Sequence, residues 1–307
     1  MREQVFFYPF VADPPDTDDV MDVVFSAFQT ERSSSPQCAG CLCEEQGELL
    51  CSNRCLANDN PDVLAGAFNR HPQSIGGLEV MRQLFPHAVE TLFFDDDICP
   101  DLAIQAFRSG VWFWPEEEQA ALRKLFCRVA INWFTGGEPL PLELPIETRR
   151  YPSGQVYEWR EPAMSARIIE ALILLRVRPT DVMDWLVETG GERAVDWMTK
   201  AVASWGVGDE TSFYYLPDCP EEEHRMVDVK AALARIANHA LFSVLTPDRL
   251  FSWWQQYLQC SPRLAARVEE VEAAFASYDR RISLNRRAAD LDLIEGFLSS
   301  GARARSA

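Results

Sequence analysis

Apolar residues recur three and four positions apart along much of the chain, with polar residues between them. Leu122, Leu125, Phe126, Val129, Ala130 and Trp133 follow this spacing after the segment WPEEEQ, and Met226, Val229, Leu233, Ile236 and Ala240 repeat it after CPEEEH. Leu264, Val268, Val271 and Phe275 do so a third time. A period near 3.6 places each set on one stripe of an α-helix, so each predicts a helix with one buried face. The predicted starts share one chemistry, because proline follows Asn60, Cys99, Trp114, Cys219, Thr246 and Ser261. Proline at the first helical position sacrifices an N–H that has no partner inside the helix, and acids just after it favour the positive end of the helix dipole.

Extended segments are few. VFFYPF near the N-terminus and QVYEW at 155–159 are short candidates, the second as one arm of a hairpin turning at Pro152-Ser153-Gly154. Neither supports a sheet-based fold. The predicted class is all-α, a multi-helical array or orthogonal bundle of two closely packed helical halves. Between Thr135 and Gly154, Gly136, Gly137, Pro139, Pro141, Pro145 and Pro152 prevent a helix. That segment divides the chain into an N-terminal half (1–134), which contains a cysteine-rich segment at 38–55, a Pro/Gly-rich connection (135–154) and a C-terminal half with a basic tail (155–307). No fixed-period repeat names a solenoid family.

Composition is compatible with this picture and narrows the partners. The 307 residues are 47% apolar and 11% aromatic, enough to bury a large core. Forty-seven acids against 29 bases leave a formal net charge of −18, which disfavours nucleic acid and an anionic membrane surface as partners. The excess is uneven: from Arg280 onward six arginines face only three acids. Acidic runs at Asp95-Asp96-Asp97, Glu116-Glu117-Glu118 and Glu221-Glu222-Glu223 read either as solvated helix starts and loops or as a docking face for a basic partner. MREQVFFYPFVADPP lacks the features of a secretory signal, no apolar run is long enough to span a bilayer, and nine cysteines is an odd count. Reduced thiols and a cytoplasmic location are therefore expected.

Five of those cysteines lie in CAGCLCEEQGELLCSNRC. Cys38 and Cys41 have CxxC spacing, Cys51 and Cys55 have CxxxC spacing, and nine residues separate the pairs, enough for a tetrahedral zinc knuckle. The same segment also reads as a short amphipathic helix in which Leu49, Leu50, Cys51 and Cys55 face a core as unligated thiols. Cys43 is a fifth thiol with no role in the knuckle. Other chemistries lack their groups. Glu221 and His224 have the Glu-x-x-His spacing of a di-iron bundle, but His71, His87 and His239 have no glutamate three residues before them. Asp95, Asp96 and Asp97 alternate in direction, which suits a charged loop better than a cation site. His239 reads as an interior histidine of a helical core. There is no phosphate-cradling glycine loop, no His-Glu-x-x-His and no nucleophile elbow.

CAGCLC, PDVLAGAFNR, LFPHAVETLF, GVWFWPEEEQAALRKLF, PDCPEEEHRMVDVKAALARI and SPRLAARVEEVEAAF together resemble a group of uncharacterised bacterial all-helical proteins. In that group a cysteine pair precedes a helix and a tryptophan–proline–acid start follows. The resemblance covers most of residues 38–276 and implies a helical fold without a known activity. The second pair, Cys51 and Cys55, departs from it.

Among nine tryptophans, Trp133, Trp185, Trp197 and Trp205 read as core, whereas Trp112 and Trp114, and the pair Trp253-Trp254, are too crowded for all to point inward. Trp112 and Trp114 beside Glu116, Glu117 and Glu118 read as an anchor for a protein partner, the alternative being indoles half-buried at a helix start. The leading expectation is a non-enzymatic cytosolic interaction protein that neutralises or scaffolds a basic partner, as an immunity protein does, with no cofactor. The alternative is a zinc-dependent regulator or enzyme centred on Cys38–Cys55.

Overall fold

The computed structural model describes residues 6–28, 78–92, 101–136, 146–150, 156–160, 164–189, 191–205, 221–277 and 280–305. Within these the chain is all-helical in class, with eleven α-helices: α1 (Thr17–Ala27), α2 (Leu78–Leu92), α3 (Asp101–Arg108), α4 (Glu116–Thr135), α5 (Met164–Leu174), α6 (Pro179–Thr189), α7 (Glu192–Trp205), α8 (Glu221–Val244), α9 (Pro247–Cys260), α10 (Pro262–Ser277) and α11 (Arg280–Arg305). A 3₁₀ turn, Val111–Phe113, precedes α4. The one sheet among the described residues is an antiparallel hairpin of β1 (Ile146–Arg150) and β2 (Val156–Arg160), in register Ile146 to Arg160 and Arg150 to Val156. The expected hairpin arm at 155–159 falls largely on β2, while Pro152-Ser153-Gly154 lie outside the described residues.

The periodic stripes face inward as expected. Leu122, Leu125, Phe126 and Ala130 of α4 are buried, as are Val229, Leu233, Ile236 and Ala240 of α8 and Leu264, Val268 and Val271 of α10. Each large apolar side chain removed from water this way contributes about 1.5–3 kcal/mol. Five of the six proline marks stand immediately before or at a described helix: α3, α4, α8, α9 and α10 begin at or one residue after Pro100, Pro115, Pro220, Pro247 and Pro262. Pro61 lies outside the described residues. At α9 the start is completed by Thr246, whose hydroxyl accepts from the Arg249 N–H at 3.3 Å.

One contiguous apolar core runs from Phe6 to Ile294, drawing on helices before and after the 135–154 connection. α1 packs on α4, α4 on α5, α6 on α8, α8 on α11, and α7 on α10, while α9 and α10 form a tight helical hairpin. The end of α5 shapes the site described below. Its last four carbonyls are all satisfied: Ala171 by Leu175 N–H, Leu172 by Val177 N–H, Ile173 by Arg176 N–H and Leu174 by the Trp112 indole at 2.7 Å. The Arg176 and Val177 bonds form a Schellman motif, which needs a left-handed residue at Arg176, where φ is +64°. Glycine is the usual occupant, and a non-glycine residue there costs about 1–2 kcal/mol. The N-terminal segment docks on this turn, since Tyr8 N–H donates to Arg176 O (2.8 Å) and Arg178 N–H donates to Tyr8 O (2.7 Å).

Candidate functional site

Two features stand out from the packing. The first is a groove of about 420 Å³ on the α9–α10 hairpin, lined by Pro247, Leu250, Phe251, Trp254, Val268 and Glu269. It exists because α9 is apolar on two adjacent stripes. Leu250, Trp253 and Tyr257, spaced three and four apart, face the core and are buried. Phe251, Trp254 and Leu258 form the next stripe, one residue further round the helix, and among the described helices none covers them fully. Phe251 is 58% exposed and Leu258 47%. The Phe251 and Trp254 rings stack at 5.9 Å with a 21° interplanar angle. The Trp254 indole N–H donates to Glu269 Oε1 at 2.7 Å, holding a carboxylate at the groove wall. Glu270 beside it is exposed, while Arg267, one turn before Glu270 on α10, is ion-paired with Asp196 of α7.

The second feature is a polar cluster where the N-terminal segment crosses the end of α5 and the start of α4. Arg123 lies over the Tyr8 ring, its Cζ 3.5 Å from the centroid, and Arg176 approaches the same ring at 5.2 Å and Trp112 at 5.5 Å. Tyr8 donates its hydroxyl proton to Glu116 Oε2 at 2.9 Å, and Arg123 Nη2 donates to Glu116 Oε1. Arg176 donates through Nε to Phe6 O at 2.6 Å. Burial, and secondly the hydrogen bond to Glu116, push the Tyr8 hydroxyl above its ordinary range. Burial likewise pulls the Arg176 guanidinium below its own. Both arginines are over nine-tenths buried.

The residues singled out in the sequence divide between these places. Trp112 and Trp114 are not surface anchors, since each is only 5% exposed. Trp112 reaches Leu174 O as described, and Trp114 donates to Ser109 O at 3.0 Å. On a regular helix the two indoles would crowd each other, but Trp112 sits in the 3₁₀ turn and Trp114 in the extended residue after it, so both enter the core. Gln119 secures that turn, its side-chain amide donating to Trp114 O at 2.7 Å. Nor do the three glutamates form one acidic face. Glu118 is buried and accepts from Arg82 Nε at 3.0 Å, Glu116 is exposed but tied to Tyr8 and Arg123, and Glu117 is an exposed charge. The Trp253-Trp254 pair is on a helix and does divide as adjacent residues must: Trp253 is buried and Trp254 only partly so.

Trp197 is in the core, while Trp133 and Trp185 pack against it, and the burial of Trp205 is not described. His239 is half-buried on α8. Cys38, Cys41, Cys51 and Cys55, the Asp95-Asp96-Asp97 run and the side chains of Glu221 and His224 lie outside the described residues. Among the described residues no three His, Cys, Asp or Glu side chains converge as a metal site would require, and no helix is long and apolar enough to cross a membrane. Compared with protein-family models, curated proteins and solved structures, the chain matches none.

Sequence reasoning missed the second stripe of α9. The signal was present in LFSWWQQYL, where Leu250/Trp253/Tyr257 and Phe251/Trp254/Leu258 are two parallel sets at the same spacing. A helix burying one of them on a core leaves the other to solvent or to a partner.

Proposed function

We propose that this chain acts by binding another protein, and that the contact is made through the α9–α10 groove rather than through Trp112 and Trp114. The observation that supports this reading is the Phe251–Trp254–Leu258 stripe, a contiguous aromatic and aliphatic surface beside an open cleft. Interfaces take most of their energy from a few such buried anchors. The occupant that fits is an amphipathic helix or extended segment with an apolar anchor for the cleft and a lysine or arginine for Glu269. Charge complementarity favours a basic partner. Glu269 is the charged group of the groove lining, and a net charge of −18 speeds encounter with a positive surface more than it adds affinity. Neutralising such a partner or scaffolding it are both consistent with this mode.

A photo-cross-linking amino acid at Leu258 in native cells identifies what covers the groove, and purified protein then quantifies it. Phe251→Asp is expected to weaken the identified complex at least about tenfold, with the melting temperature unchanged. Glu269→Lys should slow association and flatten its salt dependence. An identified partner that binds Phe251→Asp as tightly as wild type refutes the groove. Concentration-dependent self-association lost in Phe251→Asp assigns the groove to a second copy instead and refutes the basic partner.

A further inference from the structure

We propose that the α9–α10 groove selects lysine over arginine as the partner's cation, an inference that rests on the binding reading given above. Glu269 is the charged residue of the groove lining, and among the described residues no arginine or lysine lines it. The bases nearest in sequence are engaged elsewhere: Arg267 pairs with Asp196 of α7, and Arg249 donates to Val244 O at 3.3 Å. Glu269 therefore meets no cation among the described residues. Its Oε1 accepts from the Trp254 indole N–H at 2.7 Å, and no described residue donates to its Oε2. The carboxylate thus stands at the groove wall with one oxygen taken and one open.

The taken oxygen decides between the two cations. Arginine binds a carboxylate best side-on, with two parallel N–H bonds that engage both oxygens. At Glu269 that geometry competes with the Trp254 indole for Oε1 and gives up a good hydrogen bond. A lysine ammonium is a compact point charge with rotatable donors, so it can take Oε2 alone and leave the indole bond in place. The rest of the groove suits a lysine stem. Leu250, Phe251 and Val268 supply apolar lining, along which the methylenes can lie while the charged end reaches the carboxylate and water. Trp254 is thereby a positioning residue. Its ring is stacked with that of Phe251 at 5.9 Å, and its N–H holds the carboxylate with Oε1 occupied.

The test titrates the full chain against three capped dipeptides, acetyl-Phe-Lys-amide, acetyl-Phe-Arg-amide and acetyl-Phe-norleucine-amide. They share an apolar anchor and differ in the cation. Binding is read from the probes' own proton NMR signals, and the Trp254 indole N–H resonance, identified by its loss in Trp254→Phe, places the contact in the groove. Wild type is expected to bind the lysine probe at least about threefold more tightly than the arginine probe, with norleucine weakest. Trp254→Phe frees Oε1 and should narrow or reverse that preference by tightening the arginine probe. Glu269→Gln should lower the lysine probe to the norleucine level. Arginine bound as tightly as lysine by wild type overturns the selection, and if Phe251→Ser still weakens all three probes the groove itself stands. A preference unchanged in Trp254→Phe overturns the positioning role of the indole. No saturable binding of the lysine probe overturns the inference, while the groove reading is judged separately by the Leu258 cross-link, which needs no probe.

Discussion

Replacing Trp112 with phenylalanine separates an indole that holds the fold from one that waits for a partner. The substitution keeps an aromatic ring in edge contact with Phe107 and Phe297, whose centroids lie 5.5 and 5.7 Å from that of Trp112. It removes the N–H that donates to Leu174 O at 2.7 Å. That carbonyl belongs to the last turn of α5 and is buried with its donor, so leaving it unsatisfied costs about 1–3 kcal/mol. The smaller ring also gives up packed apolar volume worth about 1 kcal/mol, at ~0.8 kcal/mol per methylene equivalent. The expected destabilisation is therefore about 3 kcal/mol, read as a lower urea midpoint at unchanged slope. Trp254→Phe provides the contrast, because its indole is only partly buried and its acceptor Glu269 is exposed, so both groups can be rehydrated. Its cost should stay below about 1 kcal/mol, while its effect on the identified partner should be measurable. Equal stability losses in the two variants, or a loss under about 1 kcal/mol for Trp112→Phe, would refute the assignment of Trp112 to the core and of Trp254 to the surface.

Two further outcomes follow from the packing. Burial pushes the Cys127 thiol up to about 12, against smaller opposing effects of a Val11 backbone hydrogen bond and Arg123. Alkylation of native protein at pH 8–9 should thus modify exposed Cys260 and spare Cys127 by peptide mapping; because the folded pKa is raised, the stability this thiol confers is full below its unfolded value near 8.5 and falls as pH climbs towards 12. Glu118→Ala removes the buried carboxylate that holds Arg82 between α2 and α4, and should destabilise by about 3 kcal/mol, with most of the loss recovered when Arg82→Met is added. A double-mutant cycle with coupling under about 0.5 kcal/mol would show that the pair contributes nothing.

What could be read in the sequence was local, and what could not was the meeting of distant segments. Proline marks a helix start because the reason lies within one turn of backbone, and α3, α4, α8, α9 and α10 obey it, the first four with an acid directly after the proline. The antiparallel pairing of β1 with β2, only a few positions apart in sequence, is local in the same sense. The start of α6 at Pro179 follows the same rule and was there to be read in Arg178-Pro179. By contrast, the exposure of Trp112 and Trp114 was argued from helical neighbours, and it failed because Gly110, at φ +74°, ends α3 and turns the chain before α4 begins. The Tyr8 cluster had no sequence signature at all. Tyr8 meets Glu116 across 108 positions, and Phe6 meets Arg176 across 170. Only the Schellman turn, with an arginine where glycine is favoured, brings them together. The α9–α10 groove, by contrast, arises from residues within two adjacent helices and would persist in any arrangement that buries Leu250, Trp253 and Tyr257. Removing the first ten residues takes away the Tyr8–Val177 bridge and the buried Phe6 and Phe7, and should therefore lower the urea midpoint. Because the groove draws on none of those residues, partner affinity at a temperature where the truncated chain is folded should be unchanged, and a lost affinity there would show that the groove depends on the N-terminal segment.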